Sequence, residues 1–210
     1  MADQSVVTTA LHRAWNELLP GHRALGEDLL ERWSQSSRYY HGVEHLTECL
    51  AALRFLGSSH RTEHMALWFH DAVHTNTPGT DELRSAELAE TLLRSILPPA
   101  EVTEVSRLIR LTIDHAPLAG DTSGARVCDA DLAVLAAPPA RYLASVTQLR
   151  AEAPTLSADE WAQARLARLE QLLASDPLFH SPIARRAWTS SALSNLQNEF
   201  QQLKSPRHRP

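Results

Sequence analysis

Apolar residues recur at helical spacing along this chain, and Pro or Gly residues repeatedly interrupt the pattern. Near the N-terminus, Leu11, Ala14, Trp15 and Leu18 lie three or four positions apart, and Pro20-Gly21 ends the run. Such spacing places apolar side chains on one face of an α-helix. No alternation of β-branched and polar residues with a period of two is sustained in the sequence. We therefore predict an all-α fold, a bundle of helices that bury their apolar faces against one another.

The same pattern predicts the individual helices. Ser157 and Glu160 have the spacing of a capping box at a helix N-terminus, and Gly57 has the position of a C-terminal cap. Thr62 is the predicted N-cap of the fourth helix. The predicted helices cover 7–19, 23–33, a segment that ends at Gly57, 62–73, 81–97, 102–115, 127–135, a segment opened by Pro138-Pro139, 157–174 and 182–203.

The length of the chain allows one large domain. With 210 residues, of which 43% are apolar, the chain can bury a full-sized core. We predict one domain over residues 1–203, followed by a flexible basic tail over residues 204–210.

Charge and cysteine content indicate what the protein does not bind. The net charge is −5, and acidic and basic residues are interspersed, so we expect neither nucleic acid duplexes nor membranes as partners. The sequence has no signal-peptide pattern and no apolar run long enough to span a bilayer. Cys49 and Cys128 are the only cysteines, and both lie in apolar helical contexts. These features predict a cytoplasmic protein in a reducing compartment.

One segment combines apolar residues with side chains that bind metals. In residues 66–74, Trp68 and Phe69 lead directly into His70 and Asp71. A buried imidazole and carboxylate need partners, and a divalent cation satisfies both. The same pair is also compatible with a core histidine that is satisfied by the protein and stands beside an exposed acid.

Other acids and histidines strengthen the metal interpretation. His41 and His45 are four positions apart, so on a continuous helix they would project from one face. The chain has eleven histidines, so this spacing also arises by chance. Asp131 lies within a mostly apolar helical segment.

The order His, His-Asp, Asp on an all-helical chain resembles the HD superfamily of metal-dependent phosphohydrolases. Tyr40 to His45 resembles the YHNxxH signature shared by cyclic nucleotide phosphodiesterases and a bacterial family of predicted HD-type phosphohydrolases. Further similarities to the bacterial family cover nearly the whole chain: Phe69-His70-Asp71, Asp81-Glu82 with Ser85-Ala86, Thr112 with His115, Asp129 to Leu132, Tyr142, Arg150 to Glu152, Asn195-Leu196 and Glu199.

The chain departs from the family pattern at three places. Gly42 replaces the usual Asn, Thr80-Asp81 replaces Asp-Asn, and His74-Thr75 replaces Tyr-Asp. None of these changes removes a residue that the resemblance assigns to the metal.

The resemblance implies a single-domain HD-type helical bundle with a divalent metal site. Its ligands would be His45, His70, Asp71 and Asp131. The resemblance also implies that His41 protonates the leaving oxygen, since an imidazole titrates near neutral pH. Asp71 and His115 complete the implied catalytic residues.

Each of three further residues is compatible with a structural role and with a role at the metal site. His115 is predicted at a helix C-terminus, where the helix dipole favours a charged histidine in any protein. Glu82 is predicted in a first helical turn, where the dipole favours acids. If both face the metal, they could hold a second ion or contact the phosphate. We interpret Asp129 as an acid near the N-terminus of its own helix rather than as a ligand.

The ligand set predicts the chemistry. Imidazole and carboxylate ligands suit Mn²⁺, Fe²⁺, Co²⁺ or Zn²⁺ better than Mg²⁺ alone, although Mg²⁺ remains among the candidates. The metal would activate a water for attack on a phosphomonoester, a phosphodiester or a nucleotide. The expected partner is therefore a small phosphorylated substrate. The oligomeric state stays open, with a homodimer among the alternatives.

Two other functions compete with this prediction. Residues 70–74 differ from the zinc-peptidase pattern H-E-x-x-H only in having Asp in place of Glu, but that function leaves His45 and Asp131 without a role. The second alternative is a sensor module that binds a nucleotide without hydrolysing it.

Overall fold

The structure, a computed structural model, describes residues 4–205; 71% of it is helical and the described residues contain no strand. The all-α prediction is confirmed. The helices are α1 (Gln4–Leu18), α2 (Arg23–Trp33), α3 (Val43–Phe55), α4 (Arg61–Phe69), α5 (Thr80–Leu93), α6 (Pro99–Leu111), α7 (Thr122–Asp131), α8 (Pro139–Ala151), α9 (Ala158–Ala174) and α10 (Pro182–Lys204), with a 3₁₀ turn at Leu132–Ala136 between α7 and α8.

Local sequence signals explain several helix ends. Ser157 and Glu160 form the predicted capping box of α9. Gly57 follows α3 with a φ of +78°, a left-handed conformation that glycine adopts without a steric penalty. Proline begins α6, α8 and α10, where its missing N–H costs no helical hydrogen bond.

The core is centred on buried tryptophans. The Trp15 ring meets the Trp68 ring edge to face, with centroids 5.1 Å apart. The Trp33 indole donates a hydrogen bond of 3.0 Å to the carbonyl of Trp68. Gly26 lies against Trp15, and a Cβ at this position would overlap the indole ring, so α1 and α2 pack closely only because residue 26 is glycine.

Three helix ends meet beside this core. The N-terminus of α3 and the C-termini of α4 and α7 carry the predicted ligands, and α3, α4 and α7 pack against one another. The buried apolar residues of these helices belong to one continuous cluster that also includes residues of α1, α2, α9 and α10.

Several predicted boundaries were wrong. The fourth helix ends at Phe69 rather than near residue 73, and His60 rather than Thr62 is its N-cap. The helix of His45 begins at Val43, so His41 precedes it and the two histidines do not share a continuous helix. The sixth helix ends at Leu111, before His115. The seventh begins at Thr122 rather than at residue 127, and it gives way to a 3₁₀ turn after Asp131.

The final helix extends to Lys204, one residue beyond its predicted end. Residues 206–210, most of the predicted basic tail, lie outside the described residues. No helix among residues 4–205 is long and apolar enough to cross a membrane.

Candidate metal centre

The four predicted ligands come together from three parts of the chain. His45 lies in the first turn of α3, His70 and Asp71 follow the end of α4, and Asp131 is the last residue of α7. His45 and His70 are almost fully buried, and Asp71 is 8% exposed. Because these residues lie at or next to helix ends, their polar side chains come together without interrupting the apolar faces of the helices.

The distances between these side chains suit a shared cation. His45 Nε2 lies 3.0 Å from Asp131 Oδ1 and 3.3 Å from His70 Nε2. His70 Nε2 lies 3.3 Å from Asp131 Oδ1 and 3.1 Å from Asp71 Oδ2, and the latter oxygen is 3.7 Å from His45 Nε2. Neighbouring ligands of one ion, bonded at about 2.0 to 2.2 Å, lie roughly 2.9 to 3.6 Å apart. The donor set therefore fits a divalent cation with little rearrangement.

The orientation of His70 also suits a ligand. Its Nδ1 donates a hydrogen bond of 2.9 Å to the carbonyl of Leu67, which leaves the Nε2 lone pair free to face the cluster. Histidines that bind metals usually donate their other ring N–H in this manner. The Trp33 ring packs against the same imidazole, with centroids 5.4 Å apart, and fixes its plane.

The electrostatics of the cluster favour positive charge. Burial lowers the pKa of His70, but the charges of Asp71 and Asp131 outweigh burial and hold that pKa well above its usual range. Burial raises the pKa of Asp131, yet His70 and its other histidine neighbours outweigh this and hold the pKa well below its usual range. The carboxylates of Asp71 and Asp131 attract a proton onto His70, and a metal cation would take the place of that proton.

The sequence did not predict Cys49 as a neighbour of the cluster. Cys49 lies close to His45, His70 and Asp131. Each of these four side chains has a nitrogen, sulfur or oxygen atom that lies within 4.8 Å of such an atom of each of the others. However, Cys49 Sγ is almost equally far from the two ring nitrogens of His45, at 3.5 Å from Nδ1 and 3.6 Å from Nε2. This places the sulfur beside the ring and not ahead of the Nε2 lone pair. Cys49 Sγ also lies 4.0 Å from Asp131 Oδ1, so Cys49 packs directly against the cluster.

His115 contacts the cluster through Asp131. Its Nε2 donates a hydrogen bond of 2.8 Å to Asp131 Oδ2, while Asp131 Oδ1 faces His45 and His70. The residue lies in the turn that follows α6, with a φ of +54°, and its backbone N–H donates a hydrogen bond of 2.9 Å to the carbonyl of Leu111, the last residue of that helix. The structure thus places this histidine where it orients a carboxylate of the candidate metal site.

Glu152 is the second residue whose role the sequence did not predict. It is the residue that follows α8, and its Oε1 accepts hydrogen bonds from the backbone N–H groups of Tyr40 and His41, at 2.7 and 3.0 Å. Its Oε2 accepts a hydrogen bond of 2.6 Å from His41 Nδ1. Burial lowers the pKa of His41, but the hydrogen bond to Glu152 and the charge of Asp71 raise it above its usual value.

His74 belongs to the His41 side of the site. Its Nε2 lies 3.7 Å from Glu152 Oε2, and its ring packs on the His41 ring with centroids 4.4 Å apart. Because α4 ends at Phe69, His70 and His74 do not share a helical face, and the peptidase spacing is lost.

Glu82 and Asp129 serve as helix caps. Glu82 Oε2 accepts a hydrogen bond of 2.6 Å from the backbone N–H of Gly79 at the start of α5, although Glu82 also lines the cavity. The oxygens of Asp129 accept hydrogen bonds of 2.7 Å from the backbone N–H groups of His180 and Ser181, at the start of α10. Asp129 lies near the C-terminus of its own helix, so our interpretation of it as an N-terminal acid of that helix was wrong.

A cavity of about 700 Å³ adjoins the cluster. His41, His45, Asp71, His115 and Asp131 line one part of it. The remaining lining is mostly apolar and includes Leu132, Leu149, Leu156, Trp161 and Leu172. This size is typical of pockets that hold small molecules.

Arg168 provides positive charge in the same cavity. Arg165, its neighbour on α9, forms a buried ion pair with Glu199 at 2.7 Å. Arg168 forms no direct ion pair with a described carboxylate, but the negative charge of Asp131 acts on its guanidinium.

Comparisons of the chain with models of protein families, with curated proteins and with solved structures found no match, so the geometry of the site carries the functional argument.

Proposed function

We propose that this protein is a metal-dependent phosphohydrolase of the HD type. The observation that carries the proposal is the convergence of His45, His70, Asp71 and Asp131 from three separate segments. Three of these residues, His45, Asp71 and Asp131, also line the cavity. A divalent ion bound there would supply Lewis acidity, which polarises a phosphoryl oxygen and lowers the pKa of a water.

Two features of the cavity support a phosphate ester as the substrate. Arg168 lines the cavity and forms no direct ion pair with a described carboxylate, so its charge can attract an anionic group. The apolar lining around Leu149, Leu156 and Trp161 suits the part of the ester that is not phosphate and excludes bulk water from it.

His41 is the proposed general acid. Its Nδ1 is held by Glu152, so its Nε2 is the nitrogen that can donate a proton to the leaving oxygen. The raised pKa of His41 keeps the imidazolium form present at neutral pH. Glu152 acts through His41 and is a positioning residue.

A turnover screen tests the proposal. The purified protein, loaded separately with Mn²⁺, Co²⁺, Zn²⁺ or Mg²⁺, is assayed against phosphomonoesters, phosphodiesters and nucleotides. We expect turnover with at least one class and its loss in Asp131→Asn, whereas Asp159→Asn, an exposed acid at the start of α9, retains it. Nucleotide binding without turnover would instead support the sensor function.

A second assay isolates the role of His41. His41→Ala should keep its metal and lose roughly 10²- to 10⁴-fold in turnover on an alkyl phosphate. The loss on a nitrophenyl phosphate should be smaller, because this leaving group needs little protonation. Equal losses on both substrates would contradict the acid role.

A further inference from the structure

Next to the four predicted ligands lies a second group of metal-binding side chains. One ligand atom each of His41, His74 and Glu152 can be chosen so that all lie within 4.8 Å of one another. They come from three separate segments: the turn before α3, the turn after α4 and the end of α8. Two imidazoles are thus aimed at the same carboxylate oxygen, Glu152 Oε2.

An unpaired nitrogen points to a missing ligand at this group. His74 Nε2 is buried and has no hydrogen-bond partner among the residues that the structure describes. A buried polar atom without a partner destabilises the folded state. A cation shared with Glu152 would satisfy this lone pair.

The carboxylate of Glu152 is already held in place. Backbone N–H groups of Tyr40 and His41 fix Oε1, and the side-chain amide of Asn76 donates a hydrogen bond of 2.5 Å to the Glu152 carbonyl. These contacts hold Glu152 Oε2 in a fixed position next to the two imidazoles. Ligands of metal ions are usually oriented by hydrogen bonds of this kind.

We propose that His41, His74 and Glu152 form a second cation site, which takes an ion of the Zn²⁺ or Co²⁺ type. Two imidazoles with one carboxylate are a donor set that these ions prefer. Binding releases to solvent the proton that His41 Nδ1 donates to Glu152 Oε2. The two atoms then separate from 2.6 Å to about 3 Å, the spacing of neighbouring ligands on one ion.

The charge around this second site makes it weaker than the first. Its donors include one carboxylate, whereas the first group has two. The Arg38 guanidinium also lies near, since it donates hydrogen bonds to the carbonyls of His41, Asp71 and Ala72. The second site therefore fills only when the free metal concentration exceeds that needed for the first.

The consequence for activity rests on the proposed function. With a cation on Nδ1, His41 is a neutral ligand and no longer an imidazolium, so it cannot donate the proton that the leaving oxygen needs. Excess Zn²⁺ should then inhibit turnover, although the first site remains occupied.

Metal stoichiometry tests the site without any substrate. Equilibrium dialysis against increasing Zn²⁺ should show one more bound ion in the wild-type protein than in His74→Phe and His74→Gln. Phenylalanine preserves the packing on His41, and glutamine preserves a polar group. His60→Gln, which changes an exposed histidine, serves as the control and should bind as many ions as the wild type. Equal stoichiometry in the wild type and both His74 variants would overturn the proposal.

A measurement on the wild-type protein covers the case in which the variants do not fold. The ring ¹⁵N signals of His41 and His74 should shift together at the second Zn²⁺ equivalent, after those of His45 and His70 have shifted at the first. Unchanged His74 signals would also overturn the proposal.

Turnover separates this proposal from the proposed function. If the protein is a hydrolase, excess Zn²⁺ should lower turnover at least tenfold in the wild type and have little effect in His74→Phe. If no phosphate ester is hydrolysed, the proposed function fails, but the difference of one bound ion still tests the second site.

Discussion

At the scale of single residues, the contact between His41 and Glu152 sets the expected pH dependence. Imidazolium is the acid form of His41, so activity should be present below the pKa of His41 and be lost as the pH rises through it. Glu152 raises this pKa through its hydrogen bond and its charge, which together with Asp71 outweigh the effect of burial. The alkaline limit of activity should therefore lie above the usual histidine value of about 6.5.

Replacing Glu152 should move that limit. Glu152→Gln removes the negative charge beside His41, so the pKa of His41 falls and the alkaline limb of kcat/KM moves to lower pH. Profiles of kcat/KM against pH for both proteins measure the shift. The control is Glu44→Gln, because Glu44 is an exposed acid in the first turn of α3. A limb that stays in place in Glu152→Gln would contradict the positioning role.

The position of Cys49 predicts a spectrum. Its sulfur lies beside the His45 ring and not in line with the Nε2 lone pair, so we expect no bond between sulfur and metal. Co²⁺-loaded protein should therefore lack the near-ultraviolet charge-transfer band of a cobalt thiolate. Cys49→Ala should bind the same amount of Co²⁺ as the wild type. A thiolate band that disappears in Cys49→Ala would make Cys49 a ligand.

The resemblance to the HD family pattern predicted the four candidate ligands, and the fold places their side chains close together. Sequence reasoning did not find the contact of His41 with Glu152, because 111 positions separate the two residues and no local pattern joins them. Sequence reasoning also predicted that His70 and His74 share one face of a helix, because the helical pattern continues beyond Phe69. In the folded protein the Arg38 guanidinium binds the carbonyls of Asp71 and Ala72, which a continuing helix would have used.

At the scale of elements, Asp121 fixes the start of the helix that carries Asp131. Its Oδ1 accepts a hydrogen bond of 2.8 Å from the backbone N–H of Gly124, and its Oδ2 accepts one of 2.6 Å from Arg107. Aspartate is a common N-cap, so Asp121 signals a helix that begins at Thr122 and not at residue 127, where we predicted its start.

Asp121→Ala should lower the free energy of unfolding by about 1 to 2 kcal/mol at pH 7, the usual cost of a lost N-cap. Burial raises the pKa of Asp121, but the hydrogen bonds from Arg107 and Gly124 outweigh it and lower the pKa. The contribution is therefore present above the unfolded pKa of about 3.9 and is lost as the pH falls through the lower folded value. Urea unfolding at several pH values measures this.

The difference between wild type and Asp121→Ala should shrink toward pH 3. Asp159→Ala is the matched control: Asp159 lies in the first turn of α9, where Ser157 already provides the cap. A difference that stays constant across this pH range would contradict the assigned role of the Asp121 charge.

At the scale of the whole molecule, the candidate metal centre joins distant parts of the chain. His45 and Asp131 come from α3 and α7, and His70 from the end of α4, so only the folded chain presents them together. A metal that binds only the folded state stabilises it by linkage, by about 2.7 kcal/mol at a free concentration of one hundred times Kd.

Metal should therefore raise the Tm by roughly 5 to 10 °C in a protein of this size. Calorimetry with and without a chelator measures the shift, and Asp71→Ala should show little of it. The shift should decrease as the pH falls, because protons compete for His70, whose pKa the neighbouring carboxylates hold well above its usual range. A melting curve that chelation leaves unchanged, in protein shown to contain metal, would contradict this arrangement.

The hydrogen bond from Trp33 to the carbonyl of Trp68 has an optical consequence. It holds the Trp33 indole with its ring centroid 5.4 Å from that of His70 and 6.3 Å from that of His45. Co²⁺ bound between the two histidines would lie within range to quench the fluorescence of this indole, whereas Zn²⁺ would not. Trp33→Phe should remove most of the quenching and leave metal binding in place. The protein thus contains its own fluorescent indicator of site occupancy, which can report a binding constant before any substrate is known.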